Sequence, residues 1–590
     1  MKILIPFLVL GALIVGSAML DRPSPRGDLV VSYTSIQTLD PQVTSASEDV
    51  RMAYALFEGI VTFNPYTMAV EPGVAKSWEV DDTGLRFTFH LNENAHWSDG
   101  HPVTADDFIY AWRVGLLPDT APPYMKFLHY IKGGEAFTDW ATESLAEVRE
   151  FDDRTERLQA AQQRADEVEA KFAELVGVEK IDDRTLIVEA DRHVPYFLEI
   201  MATWPLFPLP RHVVEPVTTI SPDTGMMRRD PQWIKAGRMV SNGPFELTDW
   251  RFKRDIYMTR NEHYWNVDEV ALETLQFLRF SDYPPLFVAY ESGMIDLAVG
   301  VEPLSFLPDL IDAQERGERN DVHSFSAFGT YYFSMNMQEN VPNVDENPMR
   351  DVRVRKALAM SVAKEPIGRN VTRMNQRPAT TFVPPDVVEG YDSPAGLPYD
   401  PDQARELLAE AGYPDGEGFP PLTLTYNTGG GHERVAQVVS RAWQQELGIS
   451  IGLEPSEWPT FLERRRQGDF HIARNGWFGD YSDPTTMLDL LRSGNPHNNS
   501  FMADEHYDAL LDEAEAERDP EERLELLAEA ERYMLEEVVP IVPIYVYRVS
   551  HLFDPDEVQG VSMHPRNLQM YKHMRGPGSA PATEQAEVQP

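Results

Sequence analysis

Hydrophobic and polar positions alternate between two periods along this chain. Arg86-Phe87-Thr88-Phe89-His90-Leu91 changes character at every step, which predicts a half-buried strand. Asp28 to Tyr33 predicts an earlier strand, ending at the Leu39-Asp40-Pro41 turn, and Met52, Ala55, Leu56 and Ile60 recur at helical spacing. Thr104 before Asp106 and Asp107 predicts a helix start, with a hydroxyl cap and acids in the first turn. Strands are expected over Ile181 to Val188, at Tyr331 to Asn336 and at Ile541 to Tyr547, and a strand pair between Asn242–Leu247 and Arg260–Trp265. Helices are expected from Val194-Pro195-Tyr196-Phe197, over Leu286 to Gly293, Asp351 to Ala363 and Asp400 to Leu408. Leu422 to Tyr426, a helix near Val435 to Leu447 and Ile449 to Leu453 form a strand–helix–strand unit of α/β type.

Residues 137–178 follow another rule. Leu158, Ala161, Ala165, Val168, Phe172 and Leu175 repeat at spacings of three and four among Glu, Arg and Gln, which predicts an amphipathic arm of a helical hairpin. Its favoured role is a surface helix packed on its own domain. At the N-terminus, Lys2 precedes an apolar run from Ile3 to Leu20 and then Asp21-Arg22-Pro23. That is a secretion signal, or an uncleaved anchor, since about 18 apolar residues just span a bilayer. Either places the rest of the chain outside the inner membrane.

Length and composition narrow the function classes. A chain of 590 residues is too long for one core and predicts two or three domains. With 52 Lys and Arg against 95 Asp and Glu the net charge is −43, which excludes a nucleic-acid partner, because phosphate binding needs basic clusters. No cysteine is present, so disulfides, thiolate metal sites, cysteine nucleophiles and a lipoprotein anchor are all excluded. Gly429-Gly430-Gly431-His432-Glu433-Arg434 lacks the Lys-Ser/Thr of a P-loop, and Ala436 stands where a zinc protease would carry its second His. The histidines show no metal-ligand spacing, and there is no Gly-x-Ser-x-Gly elbow. No enzyme, metal or cofactor is expected.

The densest chemistry lies in Ala473 to Pro484. Gly476 and Gly479 flank Trp477 and Phe478 and permit close backbone approach, the aromatics offer flat walls, and Asp480 offers a full negative charge. Such a surface suits a flexible, positively ended, partly apolar ligand. On its own the stretch reads equally as a core strand running into a turn at Asp483-Pro484.

Leu39-Asp40-Pro41, Phe57-Glu58-Gly59, Pro72-Gly73-Val74-Ala75 with Trp78, and Phe89-His90-Leu91 through Trp97-Ser98-Asp99-Gly100 to Thr104–Phe108 stand in one order. They continue with Asn242-Gly243-Pro244-Phe245, Tyr264-Trp265, Gly293 with Ile295-Asp296, Asp351 to Ala357, and Gly476-Trp477 with Asp480-Tyr481 and Pro484. Over roughly residues 28–575 this order resembles the extracytoplasmic peptide-binding proteins of ABC importers, family 5 of the solute-binding proteins, and its oligopeptide-binding branch. The resemblance implies an α/β fold: the two-lobed periplasmic-binding-protein clamp of type II, with the extra domain of the peptide-binding branch and a helical insertion. The implied boundaries are 1–21 signal or anchor, 22–57 lobe I, 58–210 extra domain with the insertion at 137–178, and 211–328 lobe I again. Residues 329–548 would be lobe II, 549–574 the C-terminal piece of lobe I, and 575–590 a disordered tail.

Carried onto this sequence, the resemblance implies that Asp480 meets a peptide's N-terminal ammonium, assisted by Tyr124. It implies that Asn475, Gly476, Trp477 and Phe478 pair with the peptide main chain, with Ala46 and Ser47 on its other side. Trp477 and Trp458 would wall side-chain pockets, Tyr332 and Tyr547 would complete the aromatic lining, and Arg465 and Arg474 would meet a carboxylate. The implied partners are an oligopeptide and the permease subunits of an ABC importer, the protein acting as a monomer in the periplasm. The same clamp holding an oligosaccharide or other solute, and a secreted carbohydrate-active enzyme, are the alternatives.

Overall fold

The computed structural model describes residues 25–301 and 306–579. The signal or anchor segment, and the expected tail from residue 580 onward, lie outside the described residues. The first strand, Leu29–Tyr33 (β1), is buried at all of its positions, as a strand covered on both faces should be. Helix Ser47–Leu56 (α1) follows. The chain then builds an antiparallel sheet from Ala75–Val80 (β2), Arg86–Leu91 (β3), Val178–Asp182 (β4) and Thr185–Glu189 (β5), in the order β2-β3-β5-β4. β3 alternates buried and half-exposed positions as its sequence predicts. The single strand expected over Ile181 to Val188 is instead a hairpin, because the Asp182 carboxylate takes the Arg184 N–H at 2.8 Å and turns the chain.

Between β3 and β4 lie helix Ala105–Gly115 (α2) and the hairpin Gly134–Arg149 (α3) with Arg154–Leu175 (α4). The Thr104 N–H that precedes α2 donates to Asp107 Oδ2 at 2.8 Å. In α4 the buried stripe is Ala161, Arg164, Val168 and Phe172, one position away from the expected Ala165, and Leu158 is exposed. The stripe turns because Arg164 is drawn inward: its guanidinium grips Asp119 through two hydrogen bonds of 3.0 and 2.7 Å and also donates to Ser144 Oγ.

The chain returns to β1 through Phe245–Arg251 (β6), Asp255–Arg260 (β7) and Thr274–Arg279 (β8), giving the sheet order β1-β8-β7-β6. Three of the sequence segments singled out above meet here. Glu58 accepts the Tyr264 O–H at 2.6 Å and the Trp265 indole N–H at 2.5 Å, and exchanges backbone–side-chain hydrogen bonds with Asn242. One continuous apolar core joins this sheet to the β2–β5 sheet, with Phe57, Phe63, Trp97 and Trp112 fully buried in it. The β1-β8-β7-β6 and β2-β3-β5-β4 sheets are therefore one packed body.

Lobe II has its own cores. Its sheet runs Ile451–Ser456 (β11), Leu422–Asn427 (β10), Ile472–Phe478 (β12), Val322–Met335 (β9) and Ile541–Leu552 (β13). β10 and β11 are parallel, joined over helix His432–Leu447 (α5), and helix Trp458–Gln467 (α6) leads into β12. The two longest strands, β9 and β13, run antiparallel from Val322 opposite Leu552 to Ser334 opposite Ile541, with register breaks at Ser326/Thr330 and Tyr331/Tyr332. Leu552 bridges Ala298 of lobe I, so this pair carries the chain between the lobes. Past it, Arg575 bridges Gln559 and the Gly578 N–H donates to the Asp28 carbonyl at 3.0 Å, which ties residues 575–579 back beside β1.

Candidate functional site

β12 carries the site. It pairs with β9 along its whole length, from Met335 opposite Ile472 to Gly329 opposite Phe478. On its other edge β10 reaches only Ile472 and Ala473. From Arg474 to Phe478 that edge has no strand partner among the described residues, which leaves about 13 Å of backbone at ~3.3 Å per residue.

Side chains alternate to either side of this edge. On one side Arg474 donates to Tyr547 Oη at 2.7 Å and lies 5.0 Å over the Tyr331 ring, while Phe478 stacks on Tyr547 at 4.6 Å and is half exposed. On the other side Asn475 donates to Ser334 Oγ and Asn499 Oδ1 and receives the Arg465 guanidinium. Arg465 lies 5.0 Å over Phe461, and burial pulls its guanidinium down to about 10. The Nε atoms of Arg465 and Arg474 and the Trp477 indole N–H are buried and unpartnered. No carboxylate of the described residues pairs with either guanidinium. Two cations without counter-ions flank an open strand edge.

Gly476 lies between them for a steric reason. A β-carbon there would stand 2.2 Å from Tyr547 Oη, and the Tyr547 ring is held by Phe478 and Arg474. Gly476→Ala should therefore cost about 1–3 kcal/mol of stability by overpacking. Urea unfolding that matches wild type would show that the ring yields freely.

At the far end of β12 the charge reverses. Asp480 keeps a small opening to solvent, yet burial pushes its carboxyl up to about 7, with the Arg566 charge pulling against it. No hydrogen bond from the described residues reaches that carboxylate; Arg566 donates to the Asp480 backbone carbonyl instead. Tyr124, from the extra domain, faces it. Its ring stands edge-on to Trp204 at 4.9 Å, and burial together with the Asp480 charge raises its hydroxyl well above the usual phenol range.

The loop after Asp480 crosses between the lobes. Tyr481 leaves lobe II and packs in the core of lobe I, stacked on Tyr196 at 4.4 Å. The Ser482 N–H and the Arg566 guanidinium share Glu199, each at 2.9 Å. Arg523 holds Asp483 through hydrogen bonds of 2.7 and 3.0 Å and lies 5.8 Å over Tyr196. Asp483, expected to serve only the turn, is thus half of a buried ion pair. Arg192 of the extra domain also pairs with Glu515 of lobe II, beside Arg492 and Asp489.

The remaining expected residues fall as follows. Tyr332 is buried edge-on against Phe382, mostly in the core under the strand. Trp477 lies 5.1 Å from the His497 ring. Trp458 is exposed at the start of α6, 6.0 Å from Phe461, and makes no ring contact with the other expected residues. Ala46 precedes α1 in extended conformation and Ser47 is exposed, while the neighbouring Thr44 carbonyl is taken by the Trp204 indole. Sequence reasoning missed Arg566, Glu199, Tyr196, His497 and Arg523, none of which stands in a local pattern.

Residues 69–499 match the family model described as bacterial extracellular solute-binding proteins, family 5. The chain belongs to this family. Family-5 relatives align over nearly its full length: the periplasmic oligopeptide-binding protein OppA of Salmonella typhimurium is 30% identical across 97% of this chain and 99% of its own. Among solved structures, the murein tripeptide-binding protein MppA of Escherichia coli superposes with a TM-score of 0.74 at 28% identity, covering 94% of this chain and 99% of that one. Its unliganded open form gives 0.68. OppA of Haemophilus influenzae in complex with RPPGFSPFR gives 0.73 at 28% identity, covering 93% and 98%. The fold is the two-lobed α/β clamp of this family, and the Tyr481–Tyr196 and Arg566–Glu199 contacts describe it with its lobes together.

Proposed function

We propose that this protein is a non-enzymatic receptor that captures oligopeptides outside the inner membrane and delivers them to the permease of an ABC importer. One observation carries the reading: Asp480, whose carboxylate no hydrogen bond from the described residues reaches, and Arg465 and Arg474, whose guanidiniums no carboxylate of the described residues pairs with, stand at opposite ends of an open strand edge. A peptide supplies the missing partners. Its ammonium meets Asp480 beside Tyr124, its backbone lies along Arg474 to Phe478, and a terminal or side-chain carboxylate meets Arg465 or Arg474. The edge has room for about four to five ligand residues. Main-chain pairing supplies affinity without selecting side chains, and Trp477, Phe478 and Tyr547 give apolar walls that accept many of them.

The relatives named for oligopeptide binding support the class of ligand. The relatives named as periplasmic and the apolar N-terminal run support a periplasmic location. The test is to identify by mass spectrometry what co-purifies with the protein, and to titrate tri- to pentapeptides with free and acetylated N-termini. Free peptides should bind and acetylated ones should not. Co-purifying oligosaccharide with no peptide binding would overturn the reading.

A further inference from the structure

The Trp97-Ser98-Asp99-Gly100-His101 turn lies between β3 and α2. The Gly100 N–H donates to the Trp97 carbonyl at 2.8 Å, and the His101 N–H donates to Asp99 Oδ1 at 3.1 Å. Gly100, at φ +86°, lets the chain double back so that Asp99 and His101 point to one side. His212, from the short helix Arg211–Val214, lays its ring on His101 with centroids 4.3 Å apart. His212 Nε2 and His101 Nδ1 stand 2.8 and 3.1 Å from the same oxygen, Asp99 Oδ2. His263, just past β7, lies near this turn: an added β-carbon on Gly100 would be 3.9 Å from its Nε2, but its ring nitrogens stand outside the cluster in which the ligand atoms of Asp99, His101 and His212 all lie within 4.8 Å of one another. Among the described residues the two imidazoles are the only ion-pair partners of Asp99, and all three groups are exposed.

We propose that Asp99, His101 and His212 form a binding site for a divalent transition-metal ion of the zinc type, with His263 drawn in as an additional ligand when the ion binds. Two imidazoles and a carboxylate suit zinc, nickel or copper, whereas calcium and magnesium take all-oxygen sets. A tetrahedral ion with bonds of about 2.0–2.1 Å sets its donor atoms about 3.3 Å apart. The two measured edges, 2.8 and 3.1 Å, need only a small outward step to reach that spacing. The net charge of −43 draws cations toward the surface, and the imidazoles supply the selectivity that carboxylates alone lack. The ligands come from the extra-domain turn, from the connection leaving that domain and from the end of the β6–β7 hairpin. A bound ion would tie the extra domain to lobe I without touching lobe II. Sequence spacing hid the site, because positions 99, 101, 212 and 263 match no linear motif.

Metal-free full-length protein, titrated calorimetrically with zinc chloride and with magnesium chloride as the control for diffuse attraction, tests this. Wild type should bind one zinc per chain and melt at higher temperature with zinc present. His101→Ala with His212→Ala should lower zinc affinity at least tenfold and abolish that shift, and Asp99→Asn and His263→Ala should each lower it several-fold. Asp480→Asn should bind zinc as wild type does, which separates this site from the peptide site. Equal zinc isotherms for wild type and the double variant, or zinc binding no tighter than magnesium, would overturn the proposal.

Discussion

Asp480→Asn should weaken binding of a free-amino tetrapeptide by about 2–5 kcal/mol, roughly 30-fold to several thousand-fold, and leave an N-acetylated peptide as weak as it was. The size follows from placing an ammonium against a carboxylate that no hydrogen bond from the described residues reaches. Calorimetric titration reads it, and equal affinities for the two proteins would remove Asp480 from the ammonium contact. The same group makes affinity depend on pH. Its carboxyl is held up at about 7 in the ligand-free protein, so wild-type affinity should rise between pH 5 and 7 as the proton leaves. Above about pH 8 affinity should fall again as the peptide amine deprotonates.

Stability should move the opposite way. A carboxyl whose folded value lies above its unfolded value binds its proton more tightly when folded. Asp480 therefore lowers the stability of the empty protein as pH rises from about 4 to 7. Asp480→Asn should melt at the wild-type temperature near pH 4 and above it at pH 8. A variant that binds poorly and is more stable at pH 8 shows a residue kept for its ligand.

Asp483→Ala should have the largest effect on folding, a loss of about 3–5 kcal/mol, because it leaves the Arg523 guanidinium buried and unpaired. Asp483 also accepts the Thr485 N–H and O–H at 3.1 and 2.7 Å, so the start of the next helix loses its anchor too. Chemical denaturation measures the loss, and a change under about 1 kcal/mol would contradict the account. Replacing both partners, Asp483→Leu with Arg523→Met, should recover much of it, since an apolar pair avoids the desolvation of two charges.

Local periodicity made many of the elements legible. β3, α5 and the cap of α2 follow from alternation, 3.6-residue spacing and a Thr with acids behind it. The misses came where a long-range partner overrode the local pattern: Asp119 drew Arg164 into the α4 stripe, and Asp182 turned a strand into a hairpin. The sequence segments that carry the family resemblance divide in the same way. Phe57-Glu58-Gly59, Asn242-Gly243 and Tyr264-Trp265 serve the frame of lobe I, where Glu58 gathers them. The Gly476 to Asp480 stretch instead runs along the open edge of β12 and past its end. The Arg566–Glu199 pair joins residues 367 positions apart, and closeness across that distance is a property of the fold that no local pattern encodes.

The β9–β13 pair makes lobe closure an event within one molecule. Tethered surfaces meet at an effective concentration in the millimolar range or above, so the Tyr481–Tyr196 and Arg566–Glu199 contacts need not be strong enough to hold two separate proteins together. If the protein captures peptide as proposed, modest contacts of this kind would let a bound ligand tip the balance toward the shut state.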